Sequence, residues 1–122
     1  MKKILIVEDE AALRDIYAIL FKLNHFDVYE AANGKLALGK MEEVKPDVVI
    51  LDALMPVMGG IDFLKEVNLE DNYPSTKVLL LTNLSDPKTI SQSQKLGAKK
   101  YLLKASVSPE GLVTAVKELL EQ

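Results

Sequence analysis

The sequence predicts an α/β domain: five parallel strands alternating with five helices, with helices covering both faces of the sheet. Three observations carry that expectation. Short apolar runs recur at Ile4-Leu5-Ile6-Val7, Val48-Val49-Ile50-Leu51 and Val78-Leu79-Leu80-Leu81, each continuous rather than alternating. Continuous runs suit strands buried on both faces, as in a parallel sheet. Stretches of helical spacing lie between them on short connections. Finally, 122 residues with 48% hydrophobic and 27% charged side chains have the size and balance of one globular domain spanning residues 1–122.

Taken in order, the first strand, Ile4 to Val7, stops at Glu8-Asp9-Glu10. Its four apolar residues fall short of the roughly 7–15 of a secretory leader and the roughly 20 of a membrane span. A cytoplasmic chain without membrane contact is expected. Leu13, Ile16, Tyr17 and Leu20 then share one helical face. Asp27 to Ala31 is a more polar strand candidate, suited to an edge. Ala37, Met41 and Val44 mark the second helix, and Val48 to Leu51 the third strand. Ile61, Leu64, Phe63 and Val67 mark the third helix, and Val78 to Leu81 the fourth strand. Asp86-Pro87 opens a fourth helix with only Ile90 and Leu96 to anchor it, so a loosely held element is expected. Lys100 to Leu103 is the second edge candidate. Ser108-Pro109 starts the last helix, with Leu112, Val113, Val116, Leu119 and Leu120 as its apolar set. This (βα)5 order fits the flavodoxin-like, doubly wound five-stranded sheet with strand order 2-1-3-4-5.

Composition narrows the chemistry. Fifteen Lys and Arg against eighteen Asp and Glu leave a net charge of −3, so this segment has no electrostatic footprint for direct nucleic-acid binding. The absence of cysteine excludes disulfides, thiolate metal sites and cysteine nucleophiles.

The informative polar residues sit where the apolar runs end: Glu8 and Asp9 after strand 1, Asp52 after strand 3, Thr82 after strand 4 and Lys104 after strand 5. In an open parallel sheet all carboxyl ends share one edge, where ligands bind. Three carboxylates and one ammonium there leave two negative charges, the complement of one divalent cation. Without a cation the carboxylates repel and raise one another's pKa. Mg²⁺ favours such oxygen ligands and keeps positions for phosphate oxygens and water. A carboxylate can attack phosphorus, and phosphoryl transfer then needs mainly positioning and charge neutralisation.

These residues, with Asp52 set in Leu51-Asp52-Ala53-Leu54-Met55-Pro56-Val57-Met58-Gly59-Gly60, resemble the receiver domains of two-component response regulators. The resemblance runs from Lys2 to about Glu121. It implies a phosphorylation-dependent signalling switch rather than an enzyme in the ordinary sense. By the same resemblance, Asp52 is the phosphoacceptor. Glu8, Asp9, Asp52 and the backbone carbonyl of Leu54 hold Mg²⁺. Lys104 and Thr82 contact the phosphoryl group, and Tyr101 turns inward with Thr82 as the switch. A sensor histidine kinase or phosphotransfer protein would donate the group. The face made by the fourth helix, fifth strand and fifth helix would then control an output domain or downstream effector, or dimerise.

Two positions depart from the family pattern. Ala105 follows Lys104 where a proline in a cis peptide is usual. A cis bond before a non-proline residue costs about 2.5–4 kcal/mol, which weighs towards trans without deciding it. Asn83 follows Thr82 where a very small side chain is usual, and either crowds the phosphoryl entrance or donates a hydrogen bond there. Leu54 and Leu84, each two residues past a key position, cannot hydrogen-bond an attacking water, so self-dephosphorylation is expected to be slow. Taken singly, the site residues have plainer readings: Asp9 as a helix cap, Thr82 as a strand-end hydroxyl, Lys104 as a surface lysine and Tyr101 as a half-buried strand aromatic. His25, the one histidine, reads as a surface residue and Lys99-Lys100 as a solvated pair.

Competing functions are a degenerate receiver acting as a phosphorylation-independent protein-binding module, and an enzyme or cofactor protein on the same fold. Against the last, Glu8-Asp9-Glu10 would repel a flavin phosphate. Leu54 stands where a haloacid-dehalogenase-type phosphatase has a second Asp, and no nucleotide-binding Gly-x-x-x-x-Gly-Lys-Ser/Thr loop is present.

Overall fold

A computed structural model describes residues 1–83 and 86–122. The elements are β1 (Lys3–Val7), α1 (Ala11–Leu23), β2 (Asp27–Ala31), α2 (Gly34–Val44), β3 (Val48–Leu51), α3 (Gly60–Val67), α4 (Leu69–Asn72), β4 (Lys77–Thr82), α5 (Pro87–Lys95), β5 (Lys100–Leu103) and α6 (Pro109–Leu120). All neighbouring strands pair in parallel, in the order β2-β1-β3-β4-β5. The two polar strands do lie at the edges, where half of their hydrogen-bonding groups need no partner strand.

Successive side chains of a strand point to opposite faces, so each continuous apolar run feeds two cores. Leu5, Val7, Val49, Leu51, Val78 and Leu80 meet Ala37 and Met41 of α2, Phe63, Leu64 and Val67 of α3, and Leu69 of α4. Ile4, Ile6, Val48, Ile50, Leu79 and Leu81 meet Ala18 and Phe21 of α1 and Leu112, Val113, Val116 and Leu119 of α6. Each fully buried leucine contributes roughly 1.5–3 kcal/mol by leaving water. The helix starts read from the sequence are realised as caps. Asp86 accepts from the Lys88 N–H at 3.2 Å, and the Ser108 hydroxyl accepts from the Gly111 N–H at 2.9 Å.

Two expectations need correction. The third unit carries a second, one-turn helix, α4. Asn68 takes a left-handed conformation (φ 47°) that closes α3 and redirects the chain, and Leu69 is buried behind it. On α1, the buried face centres on Ala18 and Phe21, whereas Ile16 is 56% exposed. At 3.6 residues per turn Ile16 lies roughly opposite Ala18, so a face set on Ala18 and Phe21 turns Ile16 to solvent. As expected, α5 is sparsely anchored: Ile90 and Leu96 are only half-buried. Its one buried side chain is Ser93, whose hydroxyl donates to the Ile90 carbonyl at 2.7 Å.

Candidate functional site

Register brings the polar strand ends together. Val7 lies beside Leu51, Leu51 beside Leu80 and Thr82 beside Leu103. The ladder continues one hydrogen bond beyond the strands: the Glu8 N–H donates to the Ala31 carbonyl at 3.1 Å, the Asp52 N–H to Val7 at 3.2 Å and the Lys104 N–H to Thr82 at 3.0 Å. The backbones beneath these three functional side chains are therefore held by the sheet itself.

The side chains converge as a consequence. Glu8, Asp9 and Asp52 each offer a carboxylate oxygen, and these oxygens all lie within 4.8 Å of one another. Lys104 Nζ sits 2.5 Å from Glu8 Oε1 and 2.6 Å from Asp52 Oδ2. Glu8 and Asp52 are buried at 3% and 6% exposure, while Asp9 faces solvent. Asp52 Oδ1 accepts from the Leu54 N–H at 3.2 Å, and Glu8 Oε2 accepts from the Glu10 N–H at 3.0 Å. Hard oxygen donors, open to solvent at Asp9, match the preference of Mg²⁺. The three carboxylates of Glu8, Asp9 and Asp52 thus fit such an ion.

Electrostatics follow from burial. Desolvation pushes the Glu8 carboxyl above its ordinary range and the charge of Asp52 adds to this, with Lys104 opposing. Burial by itself would lower the Lys104 ammonium. Its hydrogen bonds and charge pairing with Asp52 and Glu8 outweigh burial and hold it above the usual lysine range. Burial also raises the Tyr17 phenol, which feels Lys104, Glu8 and Asp52.

The remaining predicted residues fall as follows. Thr82 is buried at the end of β4, 1% exposed, and Tyr101 is half-buried on β5 against the core beneath α2 and α3. All peptide bonds among the described residues are trans, Lys104–Ala105 included. Asn83 turns to the neighbouring loop, its side-chain oxygen accepting from the Ala105 N–H at 3.1 Å. Leu54 is 68% exposed beside Asp52. Leu84 lies outside the described residues. His25 is exposed in the turn after α1, at φ 68°.

The loop after Asp52 is strained. Met58 N–H donates to the Pro56 carbonyl at 2.7 Å, a three-residue turn that forces Val57 to φ 69°. A β-branched residue there is a genuine outlier, and such strain costs of order 1–3 kcal/mol. Behind the loop, a Cβ at Gly60 would collide with the Asp52 carbonyl oxygen, so only glycine lets α3 start this close to Asp52.

Arg14 escaped the sequence reading. Its guanidinium donates to the Glu8 carbonyl at 2.7 Å and pairs with Glu30 on β2 at 3.5 Å. Its signal was present: it is the chain's only arginine, one turn past the acidic pair.

Comparison with known proteins now adds to this geometry. A family model described as the response regulator receiver domain matches residues 4–117. The chain is 34% identical to the chemotaxis protein CheY of Thermotoga maritima over 119 residues, covering 97% of each. It is 38% identical over 118 residues to the transcriptional regulatory protein LnrK of Bacillus subtilis, covering 95% of this chain and 52% of LnrK. It thus spans about half the length of some curated relatives and nearly all of others. The solved structure of Vibrio cholerae chemotaxis protein CheY4 superposes with a TM-score of 0.89 at 32% identity, covering 98% of both chains. Among the described residues no helix is long and apolar enough to cross a membrane. The chain belongs to the receiver domains of two-component response regulators, a family of signalling switches whose function is phosphorylation-dependent.

Proposed function

We propose that the chain accepts a phosphoryl group on Asp52 from the phosphohistidine of a sensor kinase or phosphotransfer protein. The observation that carries this reading is Lys104 Nζ bridging Glu8 and Asp52 at 2.5 and 2.6 Å, with Asp9 closing the carboxylate cluster. A carboxylate oxygen of Asp52 forms the new O–P bond as the P–N bond to the donor imidazole breaks. The product is an acyl phosphate. Glu8, Asp9, Asp52 and the Leu54 carbonyl are the residues that would hold Mg²⁺. When bound, that ion supplies charge neutralisation on the phosphoryl oxygens.

The chain's own residues do the rest. Sheet hydrogen bonds orient Asp52, Glu8 and Lys104 before any donor arrives. Lys104 exchanges part of its contact with the carboxylates for the more highly charged phosphoryl group, and the Thr82 hydroxyl donates to it. Tyr101 packs inward and the sparsely anchored α5 shifts, because a segment with few buried apolar contacts rearranges cheaply. The surface of α5, β5 and α6 then selects an output domain or effector, or pairs with a second copy, as a population shift between two states. Leu54 cannot orient a water, which slows the return reaction.

The test is labelling by acetyl phosphate, followed by intact mass. One phosphoryl group should be added in the presence of Mg²⁺, and none with EDTA or in Asp52→Asn. A chain that stays unlabelled would be a phosphorylation-independent binding module instead.

A further inference from the structure

We infer that Asn83 is a positioning residue that aims the Lys104 ammonium by tying down the peptide that follows it. The inference rests on the role given to Lys104 above. The loop leaving β5 is joined to the end of β4 at two successive amides. The Lys104 N–H donates to the Thr82 carbonyl at 3.0 Å, and the Ala105 N–H donates to the Asn83 side-chain oxygen at 3.1 Å. The first bond belongs to the sheet and any sequence could make it. The second needs two particular features: an acceptor side chain at position 83 and a residue at 105 that keeps its N–H, which proline lacks.

The chemistry gives that second bond its effect. A lysine has a long, flexible stem, and where its head reaches depends on where its Cα is held. The Lys104 side chain is only 13% exposed, and its Nζ must meet Glu8 at 2.5 Å and Asp52 at 2.6 Å together. The next turn, closed by the Ser106 N–H on the Leu103 carbonyl at 3.1 Å, is internal to the loop and does not fix it to β4. Among the described residues Asn83 is therefore a side-chain clamp between the loop and the neighbouring strand. The two unusual residues of the site, Asn83 and Ala105, thus form a single unit.

The experiment compares Asn83→Ala, Ala105→Pro and the double variant with the parent. It reads Mg²⁺-dependent labelling by acetyl phosphate and the NMR signal of the Lys104 side chain, assigned through Lys104→Met. Asn83→Ala should slow labelling about fivefold, the worth of one neutral hydrogen bond. It should also move the Lys104 resonance towards that of exposed lysines, and should have no further effect once Ala105→Pro has removed the donor. Parental labelling with an unmoved Lys104 signal overturns the inference. So does slowed labelling with the signal unmoved, or equal slowing in the Ala105→Pro background, since either means that Asn83 acts by another route. If Lys104→Met itself labels at the parental rate, the role of Lys104 fails, and the positioning by Asn83 is then judged by the resonance alone.

Discussion

Replacing Lys104 with methionine keeps most of the stem and removes the charge. The ammonium lies 2.5 Å from Glu8 and 2.6 Å from Asp52, with side-chain exposures of 13%, 4% and 8% for the three groups. Removing one partner of a buried ion pair typically costs about 3–5 kcal/mol, because the surviving charge is left uncompensated. Two carboxylates survive here, but the Glu8 carboxyl is already raised and can escape by taking up a proton. The loss should therefore fall near the lower end, about 3 kcal/mol, or about 10 °C in Tm for a domain of this size. Lys104 and a divalent cation compete for the same oxygens. Mg²⁺ should accordingly stabilise Lys104→Met by at least about 1 kcal/mol more than it stabilises the parent. Urea unfolding in EDTA and in saturating Mg²⁺ measures both quantities. A variant within about 0.5 kcal/mol of the parent in EDTA, or an equal Mg²⁺ increment in the two proteins, would refute the charge balance described for this pocket.

Other consequences can be checked separately. Leu54→Asn should shorten the lifetime of the phosphorylated protein by giving an attacking water a hydrogen-bond partner, read as loss of radiolabel after donor removal. Val57→Gly should stabilise by about 1 kcal/mol, since glycine adopts φ 69° without strain and the lost side chain is 78% exposed. An unchanged or lower urea midpoint would contradict the strain assigned to that turn. For pH dependence, the folded-state pKa of Glu8 lies above its ordinary 4.5, so the folded chain keeps a proton that the unfolded chain has released. The contribution of Glu8 to metal-free stability should thus be fully present below 4.5 and be lost as pH rises through the raised value. Glu8→Gln keeps an acceptor for Lys104 and removes this decline. Its stability relative to the parent should grow between about pH 4 and pH 8 in EDTA, and a constant difference would count against it.

The linear chain already determined which segments form strands, because continuous apolar runs report burial on two faces and that property is local. It also determined where Glu8, Asp9, Asp52, Thr82 and Lys104 would lie, because parallel strands deliver their carboxyl ends to one edge however the helices pack. Side-chain matters were settled only by three-dimensional packing. Spacing alone favoured Ile16 for the buried face of α1, but the face that packed on the sheet is the one carrying Ala18 and Phe21. No periodicity announces a one-turn helix after Asn68, or a left-handed Val57 held by a hydrogen bond across a single residue. The pairing of Asn83 with Ala105 joins positions 22 residues apart. It exists because β4 and β5 are neighbours in the sheet, a relation that neither residue carries in its own surroundings.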